Sequence, residues 1–239
     1  MNSFLRVIWN FVFNLTGLDV SFDAKYNDWS FYFIELRANH QKVKKMLEER
    51  HLLPKEIAPG ETRLQIVGCE MKAVQISGPY SEVSIQVPVE PLDDSFGDIF
   101  THLFLPVSTE AARWPGIDIY GFPKFIANID FAKDEGRIIC RLATDEDPIL
   151  EFSMDNKVGI KKRIKWEFYG NRKQRIVKTT FELEGLIFEG ESNQNVGLVL
   201  GKHGIADTLS ELLLSDEVVR TMTGNNISGV LRKPVLIKL

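Results

Sequence analysis

The chain has 239 residues, of which 44% are hydrophobic, 26% charged and 10% aromatic, and this composition excludes collagen-like, low-complexity and largely disordered proteins. A formal net charge of -4 and a pI near 5.7 exclude a general nucleic-acid binder, because phosphate recognition starts from a basic field. Two cysteines, Cys69 and Cys140, are too few for a disulfide framework and fit a reducing, cytoplasmic setting.

Residues 4–15 are apolar except for Arg6, Asn10 and Asn14, which with Ser3 recur at spacings of three and four. That pattern predicts a helix with one narrow polar stripe, closed by Gly17. It is too short to span a bilayer, which takes ~20 apolar residues. A segment docked on its own domain or on a neighbouring subunit is the first reading, and a peripheral membrane helix the second.

Next along the chain, 31–36 reads as a strand and His40 to His51 as a short helix with Val43, Met46 and Leu47 on one side. From Pro54 onward strands dominate. They are expected at 62–67, 71–77, 82–89, 98–105, 126–131, 137–143, 148–154, 160–169, 174–183 and 195–201, punctuated by Gly, Pro, Asn and Asp. Gly170-Asn171 is expected to turn a long hairpin. Helical spacing returns from Ile205 to Leu214, and a strand around 229–238 ends the chain. Many strands in series with few crossover helices predict a mainly β single domain over 1–239, a closed or strongly curved antiparallel barrel.

Several chemistries are excluded by absence. There is no His-Glu-x-x-His, no Cys-x-x-Cys pair and no Gly-x-Ser-x-Gly elbow, so neither a metal, a cofactor nor an α/β-hydrolase triad is expected. His40, His51, His102 and His203 are scattered and read as surface or capping residues. The basic residues Lys161, Lys162, Arg163, Lys165, Arg172, Lys173, Arg175 and Lys178 read as a solvated hairpin face balanced by nearby acids.

One stretch stands apart: Tyr120-Gly121-Phe122-Pro123-Lys124-Phe125-Ile126-Ala127. It sets a lysine among aromatic and aliphatic neighbours just after a Gly/Pro bend. A free amine titrates near about 10.4 and is almost wholly protonated at neutral pH. Burial against apolar groups disfavours the ammonium, and the neutral amine so exposed condenses with a ketone or aldehyde into an imine, an electron sink. From the local residues alone, the competing reading is a lysine whose stem lies on the core and whose head reaches water. In Tyr80 to Val89, alternation puts Glu82, Ser84 and Gln86 on one face and Val83, Ile85 and Val87 on the other.

The segment from Tyr120 to Ala127 resembles the central motif of the acetoacetate decarboxylase-like family, and Pro79 to Val89 resembles that family's strand bearing a catalytic glutamate. Gly97-Asp98 and the run from His203 to Leu239 follow the same order, so the likeness spans residues 31–239. It implies a cone-shaped β-barrel with an apolar internal cavity, a homo-oligomer, and Lys124 as Schiff-base lysine with Glu82 organising substrate and proton transfer. Trp29, Phe122 and Phe125 are the expected substrate-binding residues. The family's decarboxylases carry a second lysine where this chain has Phe125, and an arginine for the substrate carboxylate where it has Trp29. The activity implied is a lyase acting on a β-keto acid or other small carbonyl ligand. Aldolase or dehydratase chemistry on a less charged carbonyl compound is one alternative, and a non-catalytic barrel holding a hydrophobic small molecule is the other.

Overall fold

The computed structural model describes residues 22–238 except 76, 95–96, 146 and 192–194. The helix expected at 4–15 lies outside the described residues. In chain order the elements are β1 (Ala24–Asn39), α1 (His40–Leu47), β2 (Glu61–Val74), β3 (Tyr80–Val89), β4 (Ile99–Val107), α2 (Glu110–Asp118), β5 (Lys124–Ile126) and β6 (Asn128–Asp134). Then come β7 (Arg137–Thr144), β8 (Asp147–Asp155), β9 (Ile160–Arg172), β10 (Arg175–Glu191), β11 (Gly197–Leu200), α3 (Gly204–Leu212), β12 (Leu213–Leu231) and β13 (Val235–Leu236).

The larger sheet runs β12-β1-β2-β3-β4-β9-β10 and closes on itself where β10 pairs again with β12. Closure removes the open edges that a sheet of long strands would otherwise present to other chains. The ring is antiparallel except at β4, which pairs in parallel with β9 and with the short β5. A parallel neighbour needs a long crossover. Here the crossover from β4 to β9 consists of α2, β5 and strands β6 to β8, and β11 joins these three later in the chain to make the smaller sheet, whose order is β11-β8-β7-β6.

This arrangement divides the core in two. The small sheet packs outside the ring, so Ile138, Cys140, Leu142 and Phe152 meet Ile34, Leu36, Ile66, Val83 and Ile85. Inside the ring Trp29, Phe31, Phe33, Leu105, Phe122, Phe168 and Phe181 form the second cluster. Strands β1 to β3 are therefore buried on both faces along much of their length, and the polar side chains they bury, Glu35, Gln65, Ser84 and Gln86 among them, hydrogen-bond to one another.

The sequence-based elements hold with several differences: the strand expected at 126–131 is divided between β5 and β6, and the one expected around 229–238 between the end of β12 and β13. The strands expected at 62–67 and 71–77 are one strand, β2. Helix α2 interrupts what looked like a loop; Thr109 caps it by accepting from the Ala112 N–H, and Pro115 and Gly116 inside it disguise it in sequence. β12 begins at Leu213, its polar residues having hidden it. The β9–β10 hairpin turns at Lys173 and Gln174, which have φ of 50° and 63°, and not at Gly170-Asn171. Gly170 serves a close crossing instead: a Cβ there would lie 2.0 Å from the Tyr120 carbonyl oxygen. The basic hairpin residues make cross-strand ion pairs, including Lys161 with Glu184 at 2.6 Å and Lys162 with Glu189 at 3.3 Å. No helix among the described residues is long and apolar enough to cross a membrane.

Candidate active site

The register of the ring brings the chemistry-bearing residues together. Glu82 on β3 lies across from Val107 on β4, and β5 runs alongside the same stretch of β4, with Lys124 opposite Leu105. Two steps place Lys124 there. Gly121, at φ +67°, turns the chain after α2 while donating to the Ile117 carbonyl, and Phe122 donates to the carbonyl of Gly116. A side chain at Gly121 would be strained in that conformation and would also strike the Asn171 backbone at 2.5 Å.

The result is an ion pair in the interior: Lys124 Nζ donates to Glu82 Oε2 at 2.6 Å, with the two side chains only 7% and 13% exposed. The Tyr80 ring lies 5.4 Å from the ammonium. Gly116 on α2 packs against the stem of the lysine, leaving no space for a methyl group. Such a pair holds one mobile proton. Passing it to Glu82 gives a neutral amine beside a carboxylic acid, the two forms a nucleophile and its proton donor require.

The pair opens into a chamber within the ring. Its volume is about 80 Å³, roughly half of the ~150 Å³ cavity that holds benzene. Among the described lining residues only Lys124 and Glu82 are charged, and the rest of the wall is largely aromatic and aliphatic, including Trp29, Met71, Leu105, Phe122, Phe168 and Phe181. The indole N–H of Trp29 is buried without a partner. Cys69, across from Glu82 on β2, also lines the chamber, and burial pushes its thiol up.

A second set of polar groups stands in the chamber wall. Ser84 and Gln86 follow Glu82 on the inner face of β3, and His102 faces them from β4. Burial pushes the His102 imidazole down to about 3, with the charges of Lys124 and Arg50 acting in the same direction, so the ring is neutral at any working pH. Its faces are covered: Phe168 stacks at 4.8 Å and Phe122 meets it edge-on at 4.7 Å.

The family model described as acetoacetate decarboxylase (ADC) matches residues 20–181. The chain belongs to that family. Among solved structures, an acetoacetate decarboxylase matches with a TM-score of 0.65 at 16% identity, covering 90% of this chain and 88% of that one. The enzyme from Legionella pneumophila matches with a TM-score of 0.64 at 16% identity, covering 90% and 87%. MppR, an enzyme of enduracididine biosynthesis, matches with a TM-score of 0.65 at 12% identity, covering 92% and 88%. At these identities the likeness is one of fold. No functionally curated protein matches the sequence.

Within this acetoacetate decarboxylase fold, four of the five site residues named from sequence converge. Lys124 and Glu82 pair, and Trp29 and Phe122 line the same chamber. Phe125 does not join them: the next residue along β5 points the other way, and its ring packs against the cluster between the ring and the small sheet. His102 corrects the reading of the histidines as surface or capping groups. It is buried, whereas His203 does cap α3, by accepting from the Ile205 N–H. The mostly apolar run of β4 on either side of His102 is the signal in the sequence that points to its burial. Gly116 and Tyr80 were also missed, because their roles depend on contact with Lys124 across the fold.

Proposed function

We propose that this protein is a Schiff-base-forming lyase in which Lys124 is the nucleophile and Glu82 the proton carrier. The observation that carries the reading is the 2.6 Å contact of the two groups inside an apolar chamber. An apolar pocket that merely holds a ligand has no need of a buried charge pair, which is costly to desolvate.

In the proposed reaction the Lys124 ammonium gives a proton to Glu82, and the amine attacks the carbonyl carbon of a small ketone or β-keto acid. Glu82 returns the proton to the carbinolamine oxygen, which leaves as water, and the cationic iminium remains. For a β-keto acid, the electrons of the bond to the carboxylate flow into the iminium. Carbon dioxide departs, an enamine forms, and protonation at carbon followed by hydrolysis restores the lysine. Loss of carbon dioxide removes a carboxylate for which the chamber offers no separate cation. Aldol or dehydration chemistry uses the same electron sink, and the presence of Trp29 at the position where the family's decarboxylases hold an arginine favours it as the second reading.

The test is reductive trapping. The protein is incubated with small ketones and β-keto acids, reduced with borohydride and analysed by peptide mass. An adduct on Lys124 is expected, together with its loss in Lys124→Arg, whose guanidinium stays protonated. Release of carbon dioxide separates the two lyase readings. An unmodified Lys124 across the panel, with tight binding of apolar ligands, would make the protein a binding module and refute the proposal.

A further inference from the structure

A file of buried polar side chains leads away from the chamber inside the ring, and one end sets the sense of every hydrogen bond in it. Glu35 carries a carboxylate, paired with Arg63 at 3.8 Å, and a carboxylate only accepts. Gln65 therefore turns its amide nitrogen to Glu35 Oε2, at 2.8 Å. That leaves Gln65 Oε1 to accept from the Gln86 amide nitrogen at 2.9 Å. Gln86 Oε1 then accepts from the Ser84 hydroxyl at 2.7 Å. A hydroxyl has a single proton, so Ser84 Oγ is the acceptor in its 2.9 Å contact with His102 Nδ1. His102 Nδ1 is thus the protonated ring nitrogen, and Nε2 of the neutral ring is a bare lone pair. No protein group among the described residues pairs with Nε2, and the ring stands in the chamber wall.

We propose that His102 Nε2 accepts a hydrogen bond from a substrate hydroxyl, so that the site selects a small hydroxy-carbonyl compound over the same skeleton ending in a methyl group. The proposal rests on the reading of Lys124 as the imine-forming group, which supplies the carbonyl half of the recognition. An unpaired acceptor in an apolar chamber gains most from a ligand that donates to it, and a site so built rejects the analogue lacking the donor. A lone pair on a neutral ring also gives no attraction to a carboxylate.

Hydroxyacetone and butanone differ only by hydroxyl for methyl and serve as the probe pair. Trapping rates on Lys124 with cyanoborohydride are measured for both, in the native protein and in His102→Leu. The ratio of the two rates in one protein divided by that in the other cancels intrinsic ketone reactivity. The expected result is a native preference for hydroxyacetone about 10- to 100-fold above that of the variant. Equal ratios overturn the proposal while leaving the lysine chemistry standing. Long-range ¹⁵N spectra of the histidine rings give a second reading: a proton on Nδ1 is expected, and a proton on Nε2 overturns the assignment. If neither ketone traps Lys124, the imine reading fails and the spectra alone decide. A shift of Nε2 on adding hydroxyacetone but not butanone supports the acceptor role, and no shift with either overturns it. Should His102→Leu not fold, Gln65→Leu breaks the file three hydrogen bonds away. Loss of the single ring tautomer and of the selectivity is then expected, and retention of both would overturn the proposal.

Discussion

Gly116→Ala separates the position of the catalytic amine from its identity. A Cβ at residue 116 would lie 2.4 Å from Cδ and 2.6 Å from Cε of Lys124, well inside the 3.4 Å at which ordinary carbon contact begins. Helix α2 is held by its cap and by the turn at Gly121, so the flexible lysine stem is the part that moves, by about 1 Å. That displacement pulls Nζ out of its 2.6 Å contact with Glu82. A misplacement of about 1 Å costs roughly 100-fold in a well-oriented reaction. Stability changes far less, because overpacking costs about 1–3 kcal/mol while alanine gains about 1 kcal/mol over glycine in a helix. The net loss stays within about 2 kcal/mol, a melting shift under about 8 °C for a chain of this length. Borohydride trapping on Lys124 and calorimetry on the same sample measure both quantities. Trapping at the native rate, in a variant that keeps its melting temperature, would show that the amine has no defined seat, and the reasoning from Gly116 would fail.

Three further expectations follow from the same geometry. Glu82→Gln keeps the shape of the carboxylate and removes its capacity to take a proton. Adduct formation is expected to slow about 10²- to 10⁴-fold, with a stability loss of about 1–3 kcal/mol seen in urea melts; native-rate turnover would exclude Glu82 as the proton carrier. His102 is depressed from 6.5 to about 3 by burial, so below about pH 6.5 the unfolded chain binds a proton that the folded chain refuses. Stability contributed by the neutral ring is therefore present above pH 6.5 and falls by about 2 kcal/mol between pH 7 and pH 5. Denaturation midpoints across that range should fall more steeply in the native protein than in His102→Gln, and parallel curves would contradict the burial of the ring. The thiols of Cys69 and Cys140 are both buried and pushed up. Iodoacetamide is expected to label both residues in denaturant and to leave them unmodified in the folded protein, Cys69 because its raised thiol holds little thiolate and Cys140 because it also lies outside the chamber; labelling of Cys140 in the folded chain would mean that core opens.

How far the sequence reached can be judged from particular elements. Alternation in Tyr80 to Val89 assigns Glu82, Ser84 and Gln86 to one face, and in the structure all three line the chamber, while Val83, Ile85 and Val87 enter the other core. The same rule places Lys124 and Phe125 on opposite sides of β5, yet Phe125 was named as a substrate contact. The motif drew attention to both residues, and the strand's parity admits only one. α2 escaped notice because proline and glycine are read locally as breakers, whereas a capped helix packed on β5 tolerates them. β12 escaped because its charged residues, Asp216, Glu217 and Arg220, all lie in the first part of a long strand whose middle, Thr221 to Gly224, is buried between β1 and β10.

Strand content, face parity and the apolar setting of Lys124 are decided by neighbours a few residues apart, and for that reason the sequence alone determined them. The 2.6 Å contact with Glu82, the size of the chamber, the unpartnered indole N–H of Trp29 and the neutrality of His102 belong to the tertiary structure. Each depends on which strands pair around the closed ring, across 42 residues in the case of Lys124 and Glu82. Burial and electrostatics at such a meeting point come from the whole wall, and no local pattern of residue types encodes them.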